Sequence, residues 1–138
     1  MADIRPALRA FLIADPAIEA LVKTGSTTRI YPIKMPQGVT ATSIVYNDIS
    51  AQTGLHNEGS DGLTNIRMQI AAWAQTADAA QALALAIKNR LHGYAGLMGS
   101  GDAQVNVQLV QFDSWRDQDD TVANLRGKVA DYFVNFDE

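Results

Sequence analysis

The stretch from Leu63 to Leu91 constrains this chain more than any other. Between Asn65 and Ala72 the apolar residues Ile66, Met68, Ile70 and Ala72 alternate with Asn65, Arg67 and Gln69. A period of two gives a strand one apolar face. Trp73 closes the run, and Thr76 then offers a side-chain oxygen to cap a helix. Within that helix Ala80, Leu83, Ala84, Ile87 and Leu91 recur at three- and four-residue steps, leaving Gln81, Lys88 and Arg90 for the wet side. Gly93 supplies the left-handed residue that ends it. A strand with one apolar face feeding a helix with one apolar stripe makes a two-layer α+β unit.

The remaining elements arrange themselves around this unit. Asp3 caps a first helix striped by Ile4, Ala7, Leu8, Phe11 and Leu12, with Pro6 tolerated in its first turn. Asp15 and Pro16 restart the chain as cap and first helical residue of a second helix, which Gly25 terminates. Arg29 to Tyr31 is a short strand closed by Pro32, and Lys34 to Val39 is a loop built on Pro36 and Gly38. Ser43 to Ser50 is the next strand. Gln52 to Gly62 has three glycines and no apolar period, and reads as a long mobile hairpin tip. After the main helix comes a glycine-rich connector, Gly96 to Gly101. Val105, Val107 and Leu109 then alternate with polar residues until the parity switches to Val110 and Phe112, which predicts a bulge near Leu109. Ser114 to Asn124 reads as a polar, acidic turn around Trp115. Leu125 to Phe136 is the last strand, with Ala130, Tyr132, Val134 and Phe136 on one face. These elements predict an α+β domain over residues 1–138. It has two layers: a mainly antiparallel sheet of four or five strands, with one long helix on one face and two short N-terminal helices.

Composition narrows the class without giving a chemistry. With 47% hydrophobic and 19% charged residues, the 138-residue chain has the apolar content to bury a core. No run reaches the roughly 18 apolar residues of a membrane span, and the first residues lack the basic-then-apolar order of a signal peptide. The chain has no cysteine, which excludes disulfides and thiolate metal sites and suits synthesis in a cytosol. The net charge of -4 disfavours a nucleic-acid-binding surface. That charge is concentrated: from Leu97 onward, Asp102, Asp113, Asp117, Asp119, Asp120, Asp131, Asp137 and Glu138 face only Arg116, Arg126 and Lys128.

No catalytic constellation emerges. His92 sits at the end of the main helix, where a cation suits the last carbonyls. His56 lies near Glu58 and Asp61, but flanking glycines would hold a metal poorly and a fourth ligand is missing. Asp117, Asp119 and Asp120 lack the glycine and distal glutamate of an EF-hand loop. Gly96 to Gly101 lacks the ending of a phosphate loop, and Gly99-Ser100-Gly101 has the wrong spacing for a nucleophile elbow. The expectation is therefore a non-enzyme without metal or cofactor. Among the aromatics, Trp73 and Tyr46 fall inside strand patterns and read as core. Trp115, flanked by Ser114, Arg116 and Asp117, suits an interface as well as a core cover.

Several pieces together carry a resemblance. Asp15-Pro16-Ala17-Ile18 leads to Arg29-Ile30-Tyr31-Pro32, then Pro36-Gln37-Gly38 and Ser43-Ile44-Val45-Tyr46. The central strand ends Ala72-Trp73-Ala74, an alanine-rich helix follows, and a strand pair around Trp115 and Arg126 closes the chain. In these features the chain resembles the tail-completion, or tail-terminator, proteins of long-tailed bacteriophages, prophages and gene-transfer agents. The resemblance implies a structural subunit of a ring, a hexamer in that family, at the head-proximal end of the virion tail, assembled in the host bacterial cytoplasm. Such a ring caps the tail tube, ends its polymerisation and offers the surface that the head joins. The implied partners are further copies of the chain, the tail tube protein, a head–tail connector or neck protein, and double-stranded DNA that passes without specific binding. No membrane partner is implied. Candidate assembly residues are Gln52, His56, Glu58 and Asp61 in one segment, Lys34 and Gln37 in a second, and Trp115 and Arg116 in a third. Asp117, Asp119 and Asp120 are candidates for an acidic lumen that lets DNA slide, because cations there would bind the duplex tightly. The alternatives are another neck or head-completion protein, or a small ligand-binding or enzymatic domain, which would need a closed apolar pocket.

Overall fold

The computed structural model describes residues 3–56 and 59–137, with the backbone alone described at 53–56 and 59–61. Helix α1 (Ile4–Ile13) starts at Asp3, whose carboxylate accepts the Arg5 N–H, and α2 (Pro16–Val22) starts at Asp15 in the same way. Strands β1 (Lys23–Thr24) and β2 (Thr27–Thr28) form a small hairpin, so Gly25 makes its turn and does not end α2. Strands β3 (Ile30–Pro32), β4 (Ser43–His56) and β5 (Gly59–Ala74) follow, then α3 (Ala77–Leu91). Strand β6 (Gly96–Met98), a 3-10 turn at Gly101–Ala103, and strands β7 (Val105–Asp120) and β8 (Leu125–Asp137) complete the chain.

The main sheet has the order β3-β4-β5-β8-β7-β6. This corrects the expected four or five strands: the sheet is six-stranded and mixed, because β3 runs parallel to β4 while the other pairs are antiparallel, and three helices accompany it, α3 and the two N-terminal ones. Two expected irregular segments are also strand. The segment read as a hairpin tip is taken up by β4 running to His56 and β5 starting at Gly59, and the acidic segment at Trp115 belongs to β7 as far as Asp120. Polar side chains hid both, since a strand need not carry an apolar row along its whole length.

The helices lie on one face of the sheet. Ala80, Leu83, Ala84, Ile87 and Leu91 of α3 are buried against Ile66, Met68, Ile70 and Ala72 of β5 and Ala130, Tyr132, Val134 and Phe136 of β8. Each large side chain so buried contributes about 1.5–3 kcal/mol. Thr76 caps α3 through the Ala79 N–H, and Gly93 takes up the left-handed conformation after it at φ +81°. Arg90 ties α3 to α1: its guanidinium lies 3.8 Å from the Phe11 ring centroid and donates to the Phe11 carbonyl. α1 approaches Gly99 so closely that a Cβ there would meet Ala7 at 2.9 Å, and its φ of +83° favours glycine as well.

The opposite, helix-free face is mostly polar. Its apolar part is a small cluster of Val45, Ala71 and Val129 covered by Met35 and Trp73. The Trp73 ring lies so close to Gly127 that a Cβ there would come within 2.7 Å of it. The parity switch near Leu109 is a register shift between Val107 and Leu109, and a second shift falls between Phe112 and Ser114.

Candidate assembly surface

The sequence-proposed residues separate into distinct places. Lys34 and Gln37 lie in the loop between β3 and β4. Lys34, with Ile33 and Met35, borders a shallow hollow of about 320 Å³ on the helix-free face, and Gln118 and Asp120 of β7 border it from the other side. The fold thus brings the Lys34 loop and the end of the acidic strand together. Gln52 is exposed on β4, and its partner on β5 is Asn65. Glu58 lies outside the described residues, as do the side chains of His56 and Asp61.

Trp115 and Arg116 point to opposite faces, as neighbours in a strand must. Trp115 is partly buried on the helix side, edge-on to Phe112 at 5.3 Å, with the ammonium groups of Lys128 and Lys88 at 4.8 and 5.2 Å from its ring. Arg116 emerges on the helix-free face, where its guanidinium reaches Gln69 at 3.4 Å and Asp131 at 3.9 Å.

The three acidic residues at the end of this strand, Asp117, Asp119 and Asp120, are all engaged. Asp117 pairs with Lys128 at 3.1 Å and Asp119 with Arg126 at 3.0 Å, both across the β7–β8 ladder. Both carboxylates lie on the side of Ala77 and Ala80 at the start of α3. Asp120 accepts the N–H groups of Val122 and Ala123 and so holds the hairpin turn, at whose tip Val122 is 98% exposed.

The helix-free face carries an ion cluster that the sequence reading missed. Arg67 donates to Asp131 at 2.7 Å and to Asp113 at 3.1 Å, and its guanidinium stacks 5.2 Å from the Phe133 ring centroid. The hydrogen bond that Arg67 donates to the Asp131 carboxylate raises the Arg67 pKa from its ordinary value. Asp131 is 7% exposed, and its second oxygen is buried without a hydrogen-bond partner among the described residues. Around the cluster stand neutral amides, among them Asn47, Asn65, Gln69, Gln111 and Asn135. A signal for the cluster existed: Arg67 and Asp131 interrupt the polar rows of the two strands with opposite charges. Only the β5–β8 register places them side by side.

His92 has a different task from the one expected. Its Nδ1 accepts the Phe112 N–H at 3.0 Å, so the imidazole acts as an acceptor that closes part of the β7 margin. Gly93 and Tyr94 close the adjoining part through their backbone bonds to Val110.

A family model described as Tail completion protein gp17 matches residues 6–130. No curated protein matches the chain. Among solved structures, a chain described as "Virion of native gene transfer agent (GTA) particle" superposes with a TM-score of 0.73, covering 95% of this chain and 92% of that chain at 16% identity. At that identity the likeness shows the fold.

Proposed function

We infer, from the premise that this chain belongs to the tail completion protein gp17 family, that it acts by assembly as a ring subunit at the head-proximal end of a phage-like tail. The observation that carries this reading is the family match over residues 6–130, joined to a fold shared over nearly the full length with a chain of a gene-transfer-agent virion. In this reading the ring, of six copies, caps the tail tube, ends its growth and presents a surface to the connector of the head, while DNA passes through the centre. The site geometry supports an assembly role over a ligand-binding one. The hollow at the Lys34 loop is shallow and open, bordered by side chains of mixed character, unlike the enclosed apolar pocket a small ligand needs. A ring needs two different patches on each subunit, and the Lys34 loop and the exposed Val122 tip are candidates for contacts with tube, connector or neighbour.

The test is light scattering on the purified chain, followed by negative-stain imaging with and without purified tail tubes. Rings in solution, or rings that form on tube ends, are the expected result. A chain that stays monomeric and ignores tubes overturns the ring.

A further inference from the structure

We propose that consecutive copies join edge to edge, β4 of one against β7 of the next, so that the sheets close into one continuous barrel with the helices outside. This rests on the ring reading and adds the contact that builds it.

The observation is a pair of bare strand margins. β3 covers β4 only from Ile44 to Tyr46, and the Ile33 N–H takes the Tyr46 carbonyl, leaving Asn47–Gln52 without a lateral partner among the described residues. On the other side, β6, Gly93, Tyr94 and the His92 imidazole close β7 from Val105 to Phe112. Ser114–Asp120 is left bare among the described residues. The two bare stretches are about 20 Å long each at roughly 3.3 Å per residue. β4 is antiparallel to β5, β5 to β8 and β8 to β7, so β4 and β7 run in opposite directions. Repeating the subunit in one orientation therefore sets β4 of one copy antiparallel to β7 of the next, the pairing that the rest of this ladder uses.

The bare stretches are also staggered. Asn47, Gln69, Asp131 and Ser114 share one row across the four long strands. From that row the bare part of β4 extends towards the β4–β5 turn, and the bare part of β7 extends the other way. Full overlap requires each copy to slide along its neighbour by about six residues, or about 20 Å, while four strands span about 19 Å across. A slide equal to the width tilts the strands by about 45° to the ring axis. Closed barrels need a tilt of about 35–45°. Without the stagger the strands would stand parallel to the axis. β3 and β6 occupy the other two corners of the sheet, so neither blocks the contact. Six copies joined in this way would make a wall about 50 Å across between backbones.

Charge selects this pairing over β7 against β7. The bare part of β7 carries Arg116, Asp117, Asp119 and Asp120, and a two-fold β7–β7 contact would set carboxylates against carboxylates. The bare part of β4 carries only Asp48. A register shift falls within the bare stretch of β4, at Ile49, and another adjoins that of β7, at Asp113. Bulges and charges of this kind discourage indiscriminate pairing of open edges. The helix-free face would then line the bore, where Arg67 and Arg116 are matched by Asp113 and Asp131 and the rest is largely amide. Such a wall has no surplus of cations to hold a duplex.

The absence of native cysteine makes the test direct. Ser50 and Gln118 are exposed, one in each bare stretch, and both lie on the helix-free face. The S50C and Q118C variants and the S50C/Q118C double variant are treated with a short bis-maleimide, which tolerates a register error of a residue or two, and run on denaturing gels. Light scattering of the same samples gives the assembly state. A ladder rising to the ring size in the double variant, with both single variants unlinked, is the expected result. Rings by light scattering without a ladder overturn the edge contact and leave the ring reading standing. A dimer from S50C alone or from Q118C alone means like-with-like pairing and overturns it too. A chain that stays monomeric even with tail tubes overturns both.

Discussion

Replacing Gly127 with alanine tests how the helix-free face is packed. The added Cβ would lie 2.7, 2.8 and 2.9 Å from three atoms of the Trp73 ring. Carbon atoms at rest sit about 3.5–4.0 Å apart, so the ring must move by roughly an ångström. Two effects compete. Alanine restricts the unfolded chain and by itself favours folding by about 0.4–1 kcal/mol. Overpacking a filled site costs about 1–3 kcal/mol, and a ring that swings out to avoid it loses its cover over Val45, Ala71 and Val129. The overlap wins, with a net loss of about 2 kcal/mol at its upper end. For a chain of this size that lowers Tm by about 8 °C. Thermal unfolding by circular dichroism reads the loss, and fluorescence in a Trp115→Phe background reports a red shift as Trp73 meets water. In a Trp73→Leu background the penalty of Gly127→Ala should largely vanish, because the two changes share one contact. A Gly127→Ala protein that melts with the parent, or a penalty that persists undiminished without Trp73, refutes the packing described for this face.

Other substitutions probe the remaining parts of the fold. Tyr132→Phe should raise stability by up to about 1 kcal/mol in urea unfolding, since the hydroxyl is buried without a partner among the described residues and its removal ends a desolvation cost; a clear loss would reveal a partner for it. Thr76→Ala should cost about 1 kcal/mol by freeing the Ala79 N–H, and Thr76→Asp should restore most of it. Acid should destabilise the chain through Asp3, held below the ordinary aspartate range by Arg5, and Asp137, held there by Asn106 and Gln108. Depressed carboxylates stabilise above their unfolded pKa, and that contribution fades as pH falls through the folded value. Burial shifts Asp48 the opposite way, so Asp48→Asn should remove a cost that ionisation imposes near neutrality. Urea midpoints measured against pH for the parent, Asp3→Asn and Asp48→Asn separate the two signs.

What was legible in the sequence is what periodicity encodes. The stripe of α3 and the apolar rows of β5 and β8 are buried as read, because each apolar side chain there has one place out of water. The caps Asp3, Asp15 and Thr76 were legible because a short polar side chain before an apolar stripe has a local task. The bulge near Leu109 showed itself as a change of parity. Periodicity is silent where a strand carries no unbroken apolar row. The far half of β4 and the part of β7 beyond Phe112 therefore read as loop and turn. β3 is three residues long and pairs parallel with β4 through Arg29, Ile33 and a loop. No pattern in so short a stretch states its direction.

The candidate surface was harder to read, because charge counted along a chain is not charge placed on a surface. The last third of the sequence holds a clear excess of carboxylates, which invites an acidic lining. In the fold Asp117 and Asp119 are each matched across the ladder by Lys128 and Arg126, and Asp120 spends one oxygen on its own turn. Asp131 is matched by Arg67, 64 residues away and outside that third altogether. The pairing that neutralises the cluster is fixed by register, and register is set by which apolar rows must reach the core. The same rule bears on which stretches of β4 and β7 remain bare among the described residues, since β3 covers part of one margin and β6, Gly93, Tyr94 and His92 part of the other. The edges available to a second copy are thus a by-product of core packing, visible once strand order is known and hidden before it.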